Sequence, residues 1–260
     1  MLGGELMIRN TSNSTEKQEG LMDETAISFK ELFRQRDPES SFILIVVPIL
    51  LTVWVYFGKQ ADFDQLFKGF QGRWNQDFYS AVFEYLTAFL LMFWVPYFII
   101  KMVFRKGLKE FGFRIGDTRY GFRFVAIALP FLLWAAYVGS SGSAMQSEYP
   151  LAKSTMRHLP LFLTVQVFYL MYYVGWEFLF RGFMLFGLEK QFGAITAILI
   201  QTIPSAIVHI GKPASESFGA IFAGLVFGYL AIRTRSIFYP LILHAIVGIG
   251  TDVFVTLRLT

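Results

Sequence analysis

A chain of 260 residues that is 55% hydrophobic, 18% aromatic and only 16% charged cannot hide its apolar surface in water, since a soluble domain carries about 25% charged residues. The formal charge of +4 is modest, and the basic residues flank apolar segments instead of forming an aromatic-interleaved patch, which argues against nucleic acid as a partner. The absence of cysteine excludes a disulfide framework, a thiolate nucleophile and a cysteine-held zinc. The composition is that of an all-α, polytopic protein embedded among membrane lipids.

Residues 1–41 are the one long polar region and read as a tail preceding the membrane domain. The stretch from Asn10 to Thr15 is poor in apolar residues, which predicts disorder, and the tail lacks the apolar core of a secretory signal. The glycosylation-type triplets at Asn10 and Asn13 carry no weight in a cytoplasmic tail. Ser28 with Glu31 has the pattern of a capping box, and Phe29, Leu32 and Phe33 oppose Lys30, Arg34 and Arg36, which predicts a short interfacial helix.

The membrane domain, 42–260, is expected to hold about seven to eight transmembrane helices. Apolar runs place them near 42–57, 78–104, 122–139, 159–188, 194–210, 218–232 and 236–257. Neighbouring helices can absorb the kink at Pro48. Loops are expected at 59–77 and 140–149, and Glu84, near the start of the second run, reads as interfacial. The fourth run would be about 45 Å long if wholly helical against a hydrocarbon core of about 30 Å, so it must tilt, kink or project. In the sixth run Gly219, Ala220, Ala223, Gly224 and Gly228 permit close helix approach.

Orientation follows from Lys101, Arg105, Lys106, Lys109, Arg114, Arg119 and Arg123, which crowd one connection. By the positive-inside rule that connection, and with it the amino terminus, is expected to be cytoplasmic. Arg233 and Arg235 agree.

Glu177 and Arg181 sit inside the fourth run. An ionisable residue at membrane depth costs about 2.5–3.5 kcal/mol, which makes such a position a candidate site. Their four-residue spacing also lets them neutralise each other on one helical face, so a purely structural pair is the competing reading. Two histidines, His209 and His244, lie within later apolar runs, whereas His158 sits at a loop edge. At 1.5 Å per residue, Glu177, His209 and His244 are roughly 16, 22 and 12 Å of helix from the cytoplasmic ends of their runs, a spread that tilt can remove. Asp252 shares a helical face with His244, further outward.

A carboxylate and imidazoles in a wet membrane cavity suit hydrolysis, with the carboxylate taking a proton from water and hydrogen-bond donors stabilising the oxyanion. The same groups suit a divalent metal such as zinc, and a proton-coupled transporter uses them too. Ser205 near His209 is a conceivable nucleophile, although the chain has no Gly-x-Ser-x-Gly elbow.

Three motifs carry a family resemblance over about 174–252. Glu177-Phe-Leu-Phe-Arg181-Gly182 resembles the first motif of the CAAX-protease and bacteriocin-processing (CPBP, or Abi) family of intramembrane endopeptidases. Ser205-Ala-Ile-Val-His209, continued by Ile-Gly-Lys212-Pro213, resembles the second motif, and His244-Ala-Ile-Val-Gly248 the third. The chain departs from the pattern at Trp176, where the family has the first of two adjacent glutamates. It departs again at Ser205, for an aromatic residue, and at Gly248, for a polar one that Asp252 is placed to replace.

The resemblance implies an intramembrane endopeptidase that hydrolyses a peptide bond of a membrane-associated protein or peptide substrate. Glu177 is expected to activate water with His209, Arg181 to position the carboxylate and His244 to help hold the oxyanion. Asp252, Lys212 and Trp176 are supporting candidates. A metal-free glutamic mechanism is implied, with a metalloendopeptidase version, metal held by Glu177, His209 and His244, beside it. Trp176 favours the alternative of a non-proteolytic relative acting as a membrane transporter or scaffold.

Overall fold

The computed structural model describes residues 37–260, so the expected tail up to residue 36, with the interfacial helix expected around Ser28, lies outside the described residues. The chain divides between Ser41 and Phe42. At the end of the first part the Asp37 carboxylate accepts the Ser40 backbone N–H at 3.1 Å, satisfying one of the unpaired donors of a helix start.

In chain order the helices are α1 (Pro38–Phe57), α2 (Gln60–Leu66), α3 (Gln76–Val103), α4 (Thr118–Gly139), α5 (Ser143–Glu148), α6 (Leu159–Phe192), α7 (Ala194–Ile207), α8 (Ala214–Thr234) and α9 (Phe238–Leu259). No strand forms among the described residues. Six of these helices, α1, α3, α4, α6, α8 and α9, are long and apolar enough to cross a membrane. The protein is an integral, multi-pass membrane protein.

Three expectations need adjusting. The span expected over 194–210 is the helix α7, which ends at Ile207 and at 1.5 Å per residue is only ~21 Å long. The loops expected at 59–77 and 140–149 contain the short helices α2 and α5. The start of α2 is fixed by Asp62, whose carboxylate accepts the Lys59 backbone N–H at 2.8 Å. The long run beginning at Leu159 continues to Phe192 through a π-helical turn over Phe178–Met184, the kind of local widening that recurs at functional sites.

Close packing comes from small residues. A Cβ at Gly224 or Gly228 on α8 would meet Thr202, or Gln201 and Ile198, on α7, and a Cβ at Gly175 on α6 would stand 3.1 Å from the Phe89 backbone on α3. At one end of the bundle Arg233 pairs with Asp117 at 3.0 Å and Arg235 with Glu189 at 2.6 Å. At the other, Lys59 pairs with Glu84 at 2.8 Å and Arg258 Nε donates to Ser140 Oγ at 2.8 Å. Because α7 stops short, the turn at 208–213 sits among the helices at this second end, where irregular backbone is tolerated if it lines a cavity.

Candidate active site

The face of α6 presents Tyr169, Tyr173 and Trp176, spaced by four and three residues and therefore aligned. All three line a narrow cavity of about 50 Å³, together with His209, Glu216 and His244. A second, wider cavity of about 330 Å³ opens between α4, α8 and α9. The two cavities share Tyr149, Tyr169, Tyr173, His209, Glu216 and His244 as walls. His209 and His244, which sequence reasoning placed at compatible depths, thus meet at one junction.

His209 lies just past the end of α7, in a turn fixed on both sides. Its carbonyl accepts the Lys212 N–H at 3.0 Å and the Ser217 hydroxyl at 2.7 Å. Its Nδ1 is 2.7 Å from the Ser205 carbonyl oxygen. A carbonyl can only accept, so Nδ1 carries the proton and Nε2 of the neutral ring keeps its lone pair. The part of Ser205 that serves the site is its backbone carbonyl; its side chain lines neither cavity.

His244, on α9, stands 2.6 Å from Glu177 Oε1 through its Nδ1 and packs against the Tyr173 ring at 4.6 Å. Arg181 Nη1 is 3.3 Å from the same Glu177 oxygen but out of line for a hydrogen bond. Arg181 Nη2 reaches the Ala223 carbonyl at 3.4 Å, and its guanidinium lies 5.7 Å from the Phe227 ring centre. Glu177 and Arg181 are essentially inaccessible to solvent. Glu177 Oε2 and Arg181 Nε have no hydrogen-bond partner among the described residues.

Neither Glu177 nor Arg181 lines either cavity; Trp176 does. Consecutive helical residues point about 100° apart, and the Glu177 side chain is directed at His244 on α9 while Trp176 lines the narrow cavity. The Trp176 ring centre is 5.2 Å from that of His209 and 6.4 Å from that of His244. An aromatic wall thus stands where the resembled family has its first glutamate.

The supporting candidates separate. Lys212 lines the narrow cavity and pairs with Glu148. Asp252 lines neither cavity; its Oδ2 accepts from Gln166 Nε2 at 2.9 Å. The space beside Gly248 belongs to Tyr173, whose hydroxyl occupies the place a Cβ would take. His158 packs on Trp74 at 4.9 Å, away from the site.

Sequence reasoning missed Glu216, Tyr149 and Glu84. Glu216 lies in sequence between the apolar runs expected at 194–210 and 218–232; it falls in the first turn of α8, and both its oxygens lie 2.8 Å from Tyr149 Oη. Burial, and next the Glu216 carboxylate, push the Tyr149 phenol well above its usual pKa, so Tyr149 stays the donor. Glu216 Oε1 is 4.0 Å from His209 Nε2. Glu84, read as interfacial, is buried against Lys59 and lines the narrow cavity.

Among the described residues no group of three or more His, Cys, Asp or Glu side chains is arranged to hold a metal ion. Glu177, His209 and His244 do not form one.

Residues 158–249 match the model of the Rce1-like family, described as type II CAAX prenyl endopeptidase, the CAAX-protease family that the three motifs resemble. The matched segment runs from the approach to α6 into α9 and contains Glu177, Arg181, His209, Glu216 and His244. No curated protein and no solved structure matches the chain.

Proposed function

We propose that the chain is an intramembrane endopeptidase of the glutamic type, hydrolysing a peptide bond of a membrane-associated protein or peptide with an activated water. The carrying observation is the convergence of His209 and His244 on the junction of the two cavities, within the segment that matches the protease family.

His209 keeps an unprotonated Nε2 to orient the water. His244 is held by Glu177 through Nδ1. An imidazole whose Nδ1–H is tied to a carboxylate can accept a second proton at Nε2 and donate it to the oxyanion or the leaving amine. Glu177 therefore acts through His244, and Arg181 offsets the buried carboxylate. The wide cavity supplies apolar walls, among them Ala220, Ala223 and Val247, for the substrate's apolar portion. With the cluster of basic residues cytoplasmic, the site lies toward the opposite end.

One observation favours a second reading. Trp176 fills a wall position with aromatic surface, which suits a relative that transports or scaffolds without proteolysis. Cleavage of a quenched, farnesylated CAAX-type peptide by the chain in liposomes separates the two. Activity lost in both His209→Ala and His244→Ala supports the endopeptidase; proton-dependent solute flux lost in the same variants, without cleavage, supports the transporter.

A further inference from the structure

The pattern of two adjacent glutamates leaves this chain one carboxylate short at its cavity, since Trp176 takes the wall position and Glu177 faces His244 and Arg181. The structure supplies a carboxylate from another helix. We propose that Glu216 is the general base of the hydrolysis, holding the attacking water against His209 Nε2 and taking its proton; this rests on the endopeptidase reading above.

Four observations carry the assignment. Glu216 lines both cavities, as His209 and His244 do. Its Oε1 stands 4.0 Å from His209 Nε2, beyond direct hydrogen bonding and suited to one water bridging the two atoms. Both flanking atoms are acceptors: the His209 tautomer is set by the Ser205 carbonyl, and the carboxylate accepts from Tyr149. A water between them gives a hydrogen to each and keeps its oxygen lone pair for attack. Finally, Glu216 is held in place, by Tyr149 Oη at 2.8 Å from each oxygen and by its position in the first turn of α8. Lys212, a cation whose field reaches Glu216, is engaged by Glu148.

The step balances without another reactant. Glu216 takes a proton from water as the water oxygen bonds to the scissile carbonyl carbon, and the carbonyl electron pair moves to its oxygen, stabilised by His244. Collapse of the tetrahedral intermediate breaks the carbon–nitrogen bond, and the Glu216 carboxyl returns its proton to the leaving amine. The products are a carboxylic acid and an amine, with Glu216 restored.

The test compares the parent chain with Glu216→Gln, Glu216→Asp and His209→Ala in liposomes. The probes are a quenched farnesylated CAAX-type peptide and a pool of quenched single-span membrane peptides, and unfolding temperatures are measured in parallel. The expected result is a kcat for Glu216→Gln lower by about 100-fold or more, as for loss of a general base. KM changes little and the acid limb of the pH–rate profile disappears. Glu216→Asp keeps measurable turnover with a shifted acid limb. If Glu216→Gln turns over within about threefold of the parent while His209→Ala is inactive, Glu216 is not the base and the site reading stands. An unshifted acid limb in a folded Glu216→Asp overturns the assignment too, which covers a Gln variant that fails to fold. A parent that cleaves neither probe, or a His209→Ala variant as active as the parent, overturns the endopeptidase reading and the assignment together.

Discussion

Glu177 Oε1 and His244 Nδ1 stand 2.6 Å apart, joining α6 to α9 across the bundle. The carboxylate that sequence pairs with Arg181 is thus shared, one oxygen serving a guanidinium on its own helix and an imidazole on another. This arrangement separates structural from chemical roles in ways that mutation can measure.

The Glu177–Arg181 pair is buried on both sides, so removing one partner strands the other charge. Arg181→Met or Glu177→Gln alone is expected to destabilise by about 3–5 kcal/mol, while the double change costs less than the sum. Unfolding in detergent, run as a double-mutant cycle, measures the coupling; strictly additive effects would show that the pair does not interact.

Gly248 has no room for a side chain because the Tyr173 hydroxyl fills the space. Gly248→Ala is expected to destabilise by about 1–3 kcal/mol through overpacking and to disturb His244, which packs on Tyr173. Adding Tyr173→Phe removes the nearest atom but leaves the ring carbon Cζ too close to the added Cβ, so it recovers only part of the loss. A Gly248→Ala chain with parental unfolding temperature contradicts this packing.

Asp252 and Glu177 are rival partners for His244. The structure gives His244 to Glu177 and Asp252 to Gln166. Asp252→Asn, which can still accept from Gln166, is expected to keep cleavage within about threefold of the parent, whereas Glu177→Gln loses about 100-fold, as removal of a group supporting acid catalysis does. The reverse order of activities would return Asp252 to the site.

The donor atoms around His209 and His244 do not form a metal-holding group among the described residues. Prolonged treatment with EDTA, with metal removal checked by elemental analysis, is expected to leave the cleavage rate unchanged. A rate abolished by EDTA and restored by zinc would point to a metal-dependent reaction.

What the sequence determined by itself was the class of the protein and most of the residues proposed for the site. The cost of placing a charge or an imidazole in an apolar run is local, so Glu177, Arg181, His209 and His244 declare themselves one position at a time. The apolar runs likewise locate the long helices, because a span is a property of contiguous residues. The tertiary structure decided which groups face one another. Trp176 and Glu177 are adjacent in the chain, yet about 100° of helical rotation sends one to the cavity and the other to His244. Glu216 shows the same limit from the other side. In sequence it is one acid between two apolar runs, and only the short α7, which places the turn before α8 among the helices, brings it to 4.0 Å from His209. Helix rotation and close approach depend on packing between segments far apart in the chain, and a linear pattern of residues does not contain them.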